Sequence, residues 1–215
     1  MQTHSLTLIS TVHKEIGQCN SNELYKIIES IKPDVIFLEA FENSYSKYQQ
    51  MLFTQFEVYH ERLEIKAIKA YSQNNTFEYV PVLDINLSDE FEEKITIVSE
   101  NTDYQKILDN YTSLETDFGF QFLNSEKQIA LQDEMRDLEN RIIENKVLQQ
   151  KSNESIDAYE HSMISNIYSF CKQNSFNKAI IMCGAGHRKT IIQKIVEYEI
   201  KETIKLNWTF YSDTK

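Results

Sequence analysis

The chain has 215 residues, of which 41% are hydrophobic and 12% aromatic, a balance that suits one globular domain and excludes a disordered chain. Its 33 acidic residues against 22 basic ones leave a net charge of −11, which argues against a nucleic-acid backbone or an anionic membrane surface as partner. No window reaches the apolar length of a membrane span, residues 1–15 carry no signal-peptide pattern, and Cys19, Cys171 and Cys183 form no C-x-x-C pair, so a soluble cytoplasmic protein is expected.

Leu6–Ser10 is a short β-rich run. Ser21–Ile31 then reads as a helix capped by Ser21 or Asn22, with Leu24, Ile27, Ile28 and Ile31 on one face. Pro33 stops it, and Val35–Leu38 follows as an unbroken apolar run, the mark of a strand covered on both faces in a parallel sheet. Strand, helix and strand in so short a span make a βαβ unit. Residues 43–72 read as helical. Tyr79–Ile85 is a third apolar run, with Pro81 an awkward fit for a central strand.

From Ser88 to about Lys151 the chain is polar, acidic and helical, and Glu126–Gln150 has the spacing of a long amphipathic helix or a helical hairpin arm. Ile156–Gln173 reads as a further helix, Lys178–Cys183 as a strand, Lys189–Glu199 as a helix, and Thr203–Ser212 as a closing strand at an edge. The expected fold is α/β: a largely parallel central sheet flanked by helices, one domain over 1–215, with 88–151 as a helical insertion or cap.

Four of the five strands lead into a residue able to ligate a metal or move a proton: His13, Glu39, Asp84 and His187. Open parallel sheets bind ligands outside the carboxyl ends of their strands, so these four are expected on one edge. Two imidazoles and two carboxylates suit Zn, Mn or Fe(II), with one carboxylate as general base or imidazole partner. Each also has a plain structural alternative. His13 fits a hydrogen-bonded loop histidine, Asp84 a helix cap or Asx turn, Gly184-Ala-Gly-His187 a helix-entry turn, and Cys183 a small core residue. Glu39 follows a run of buried-type residues, where an unpaired acid is rare.

The same residues resemble the motifs of the TraB/TIKI/GumN proteins and their erythromycin-esterase-like and ChaN-like relatives. Ser10-Thr-Val-His13 is similar to that superfamily's first GxxH. Lys32-Pro-Asp-Val-Ile-Phe-Leu-Glu39 is similar to its PD-apolar-E segment, and Gly184-Ala-Gly-His187 to its second GxxH. Glu64–Ala70 resembles its alanine-rich acidic helix, and Tyr159-Glu160-His-Ser-Met163 its Arg-Asp-x-x-Met segment, with Ser10 replacing a glycine and Tyr159 the arginine.

The resemblance implies catalytic roles for Glu39, His187, Glu64 and Glu160 and a ligand-contacting turn of Gly184, Gly186 and Arg188. The convergence of strand ends makes His13, His187, Glu39 and Asp84 the candidate metal ligands. The resemblance also implies a divalent-metal-dependent hydrolase of an ester or amide bond in a small-molecule or peptide substrate. The alternatives are a protein of the same fold that holds haem, a metal or a small ligand without turnover, and an interaction protein using the acidic helices. A homodimer stays open.

Overall fold

The computed structural model describes residues 4–41 and 62–212. Strand β1 (Ser5–Thr11) is followed by helix α1 (Ser21–Ile31) and β2 (Val35–Phe41), then α2 (Leu63–Ser72) and β3 (Glu78–Leu83). Helices α3 (Asp89–Ser99), α4 (Thr102–Leu123), α5 (Glu126–Ile142) and α6 (Lys146–Gln173) come next. The chain then returns as β4 (Lys178–Gly184), a 3-10 turn at Ala185–His187, α7 (Arg188–Lys201) and β5 (Asn207–Phe210). The part of the expected 43–72 helix before Arg62 lies outside the described residues.

The five strands form one sheet in the order β3–β2–β4–β1–β5, and every pairing is parallel. Residue alternation splits the core into two layers. Leu6, Leu8, Val35, Phe37, Ile181 and Cys183 face α6 and α7. Ile9, Ile36, Leu38, Ile180 and Met182 face the opposite layer, which includes Leu24 of α1, Ile68 of α2 and Phe120 of α4. Continuous apolar runs are required by this double coverage, and every residue of β2 from Val35 to Ala40 is buried. Pro81 sits in β3, an edge strand, where the missing N–H faces away from the ladder. The closing strand is likewise an edge, and shorter than expected.

Helix starts follow the local chemistry closely. Asn20, not Ser21 or Asn22, caps α1 by accepting from the Glu23 amide, and Lys32 closes it at a φ of 53°. Helix α2 has no side-chain cap, whereas Ser88, Asn101, Ser125 and Asn145 cap α3, α4, α5 and α6 in turn. The Asn145 cap divides the expected Glu126–Gln150 helix, so α5 ends at Ile142 and α6 runs unbroken from Lys146 to Gln173. The last residues of the polar middle third thus belong to the helix that covers the sheet.

Two glycines are required by backbone geometry. Gly119 has a φ of 53° and ψ of −134° inside α4, and a Cβ there would stand 2.8 Å from the carbonyl carbon of Gln18. Gly17 has a φ of 49°, and its Cβ would meet the Thr116 carbonyl oxygen at 2.3 Å. The Gln18 amide donates to that same oxygen at 2.9 Å. The β1–α1 loop is therefore pressed directly against the kink of α4.

Arg188 gathers three distant segments. Its guanidinium donates to Ser10 Oγ at 3.2 Å, Asn124 Oδ1 at 2.9 Å and the Tyr211 carbonyl at 3.1 Å. Asn124 in turn accepts from the Ser10 amide at 2.8 Å and donates to the Ser10 carbonyl at 3.1 Å. Burial pulls the Arg188 pKa below the ordinary arginine value.

Candidate active site

The carboxyl edge of the sheet carries two carboxylate–imidazole pairs, one on each face. Glu39 points with Val35 and Phe37 toward α6 and α7, as the alternation of β2 dictates. Its Oε2 accepts from the Gly184 amide at 2.7 Å and its Oε1 from the Tyr159 hydroxyl at 2.6 Å. Arg62 donates to its backbone carbonyl at 3.4 Å. On that face His187 leaves the 3-10 turn and stacks on Tyr159, ring centroids 5.5 Å apart. Its Nδ1 lies 2.9 Å from Glu160 Oε1, and its Nε2 lies 3.7 Å from Glu39 Oε1. Glu160 also accepts from Thr190 Oγ1 at 2.6 Å and pairs with Lys194 at 3.3 Å.

On the other face Glu64 of α2 is buried, and its Oε1 accepts from Thr11 Oγ1 at 2.8 Å and meets His13 Nδ1 at 3.0 Å. Its Oε2 is buried with no hydrogen-bond partner among the described residues. Thr11 also reaches the Cys183 carbonyl at 3.3 Å. The end of β4 thus lies between the pairs, touched by Glu39 from one face and by Thr11 from the other.

His187 opens on a cavity of about 460 Å³ whose other walls come from α3 to α7 and include Lys94, Gln132, Arg136, Asp157 and Lys194. The turn carrying His187 is held in place from α5. Gln128 donates to the Ala185 carbonyl at 2.9 Å, and Arg136 to the Gly186 carbonyl at 2.7 Å. A Cβ at Gly184 would stand 3.5 Å from Glu39 Oε2, and one at Gly186 4.0 Å from Gln132 Oε1. Both are ordinary contacts, so Gly186 preserves cavity volume rather than an unusual backbone conformation.

Burial works against a charged His187, but the Glu160 hydrogen bond and the Glu39 and Glu160 charges outweigh it, and the pKa stands above 6.5. Burial pushes Glu160 up, yet its bonds from His187 and Thr190 prevail and its pKa stands below 4.5. Burial, reinforced by Glu39, raises the Tyr159 hydroxyl, which stays a donor. Cys183 is raised by burial and by the same carboxylates, which leaves it a thiol with little nucleophilic character.

His187 stabilises the fold fully below pH 6.5, and that stabilisation is lost as pH rises through its raised folded pKa. Glu160 contributes above pH 4.5 and loses its contribution as pH falls through its lowered one. The melting temperature is therefore expected to fall as pH rises above 6.5, and His187→Asn to flatten that slope. An unchanged slope in the variant would remove the pair from the account.

No protein-family model and no curated protein matches the chain. Among solved structures it is similar to a point mutant of the erythromycin esterase EreC in its open conformation, with 10% identity, a TM-score of 0.31 and 96% of this chain covered. The chain spans 60% of the length of that protein.

The sequence-expected residues are distributed unevenly. Glu39, Glu160 and His187 come together, and His13 joins Glu64 on the opposite face. Asp84, past the edge strand β3, is exposed and accepts from Ser162 Oγ. Gly184 and Gly186 frame His187, while Arg188 turns into the interior. Among the described residues no group of three or more His, Cys, Asp or Glu side chains is placed to hold a metal ion. In both pairs a carboxylate takes Nδ1 and leaves Nε2, and Glu39 already accepts from Gly184 and Tyr159.

Sequence reasoning missed Tyr159 as a partner of Glu39, and also Thr11, Arg62, Thr190 and Lys194. Thr190 and Lys194 had a readable signal. They lie three and seven residues after His187, on one helical face, where a shared partner is expected.

Proposed function

We propose that the protein is a hydrolase of ester or amide bonds in which His187 is the general base and acid. The observation that carries this reading is the Glu160–His187 pair. Glu160 fixes Nδ1 at 2.9 Å and leaves Nε2 directed at Glu39 and the cavity. Residues that hold one imidazole nitrogen orient the other for proton transfer and stabilise the imidazolium that forms.

The 3.7 Å gap between Nε2 and Glu39 Oε1 is too long for a hydrogen bond and suits a water shared by both. His187 takes a proton from that water as its oxygen attacks the acyl carbon. The carbon–oxygen or carbon–nitrogen bond then breaks, and His187 returns the proton to the leaving alkoxide or amine. Glu39 and Tyr159 orient the water, while Thr190 and Lys194 hold Glu160 ionised. No step is routed through a metal.

The ordered motifs ending in His13, Glu39 and His187 support a divergent place beside the TraB/TIKI/GumN and erythromycin-esterase-like proteins. The three cysteines, all buried and unpaired, support a cytoplasmic setting. The test is hydrolysis of 4-nitrophenyl acyl esters and aminoacyl anilides by protein kept in chelator. Hydrolysis is expected to persist and to rise with pH through an apparent pKa above 6.5, as His187 loses its proton. Activity restored only by added metal, or absent throughout, would sink the reading.

A further inference from the structure

Among the described residues, the cavity beside His187 holds a cation with no Asp or Glu in ion-pair distance. Lys94 pairs with Glu139 at 2.7 Å, and Lys194 with Asp157 at 2.5 Å and Glu160 at 3.3 Å. Arg136, half-buried on the same wall, has no Asp or Glu in ion-pair distance among the described residues. Its one hydrogen bond there goes to the neutral Gly186 carbonyl at 2.7 Å. A guanidinium carries five N–H donors in a planar fork, so most of its donor capacity remains for another acceptor.

The chain carries 33 acidic residues against 22 basic ones, so an arginine without an acid beside a polar cavity is unexpected by composition. A half-buried guanidinium with most of its donors unused makes sense where an anion arrives with the ligand. Arg136 is also close enough to His187 for its charge to work against protonation of the ring. A group bound at Arg136 therefore lies beside the reacting nitrogen.

Two features select the anion. The guanidinium fork matches a carboxylate in two parallel hydrogen bonds. The same walls carry Glu139, Asp157 and Glu160, which repel a dianion more strongly than a single charge. The volume of about 460 Å³ is that of a small-molecule site.

We infer that Arg136 anchors a carboxylate on the substrate, so that the hydrolysed compounds are small monoanionic esters or amides. The inference rests on the hydrolase reading of the same cavity and specifies what that cavity accepts. Arg136 fixes the carboxylate end, and the scissile acyl group extends toward His187. An incoming carboxylate also lowers the positive potential at the ring and favours the imidazolium formed during the reaction.

The test uses the full chain and two readouts. In calorimetric titration the protein is expected to bind monomethyl glutarate and not dimethyl glutarate. Arg136→Gln, which keeps an amide donor for Gly186, is expected to weaken that binding about tenfold or more, as loss of a charge-assisted hydrogen bond does. Arg136→Lys should recover part of it. Should Arg136→Gln fail to fold, the unaltered protein still decides: binding must weaken as salt rises from 50 to 500 mM.

The second readout compares kcat/KM for the mono-4-nitrophenyl ester of glutarate with that for 4-nitrophenyl valerate. The anionic ester is expected to lead about tenfold, and Arg136→Gln to abolish the lead. Hydrolysis of the neutral ester with no anionic preference overturns the inference and leaves the hydrolase reading standing. Arginine-dependent binding of monomethyl glutarate without hydrolysis of either ester supports the anion site and overturns the hydrolase. Equal binding by the protein and Arg136→Gln, or no binding by the protein, overturns the inference.

Discussion

His187→Asn is expected to lower the hydrolytic rate by about 10²–10⁴-fold, the usual contribution of a positioned acid–base group. Asparagine keeps an amide N–H close to the place of Nδ1, so the bond to Glu160 survives in kind while Nε2 is removed. His187→Ala is the less informative change. It would empty the stack on Tyr159 and leave Glu160 with Thr190 and Lys194 alone, so stability and chemistry would fall together. The measurement is kcat on the best ester together with the melting temperature at pH 6. A rate within threefold of the unaltered protein would remove His187 from the chemistry.

Gly119→Ala is expected to destabilise the fold by about 3 kcal/mol or more, the sum of a left-handed backbone imposed on a side-chain-bearing residue and an overpacked contact. The added Cβ would stand 2.8 Å from both the carbonyl carbon and oxygen of Gln18. Those are backbone atoms of the loop that carries His13, and they cannot swing aside as a side chain can. Denaturant unfolding checks the figure. A loss below about 1 kcal/mol would mean that the α4 kink relaxes freely, which its double lock through Gly17 and Thr116 argues against.

Much of the sheet was legible because it rests on short-range patterns. The Ser21–Ile31 periodicity stopped by Pro33, and the unbroken run after it, give α1 and β2 almost to the residue. The division between α5 and α6 was not, since Ile142, Ile143 and Val147 sustain an apolar pattern across the break. Only the Asn145 cap marks it.

At the site, adjacency in sequence was a poor guide to direction. Arg188 follows His187 by one residue, yet about 100° of helical rotation aims it at Ser10, Asn124 and Tyr211 instead of the cavity. Asp84 shares the strand-end pattern of Glu39, but β3 is an edge strand, and there its carboxylate meets Ser162. Tyr159 reads in one dimension as a lost arginine; in the fold its hydroxyl holds Glu39. None of these outcomes is local, because each depends on which distant element supplies the partner.

The cavity draws its floor and its walls from different parts of the chain. The floor is the β4–α7 turn with His187, seated on the sheet, whereas Lys94, Gln132 and Arg136 stand on α3 and α5, which are inserted between β3 and the return to the sheet. Because Gln128 and Arg136 of α5 also hold the carbonyls of that turn, a change in the inserted helices alters the entrance and the seating of His187 together.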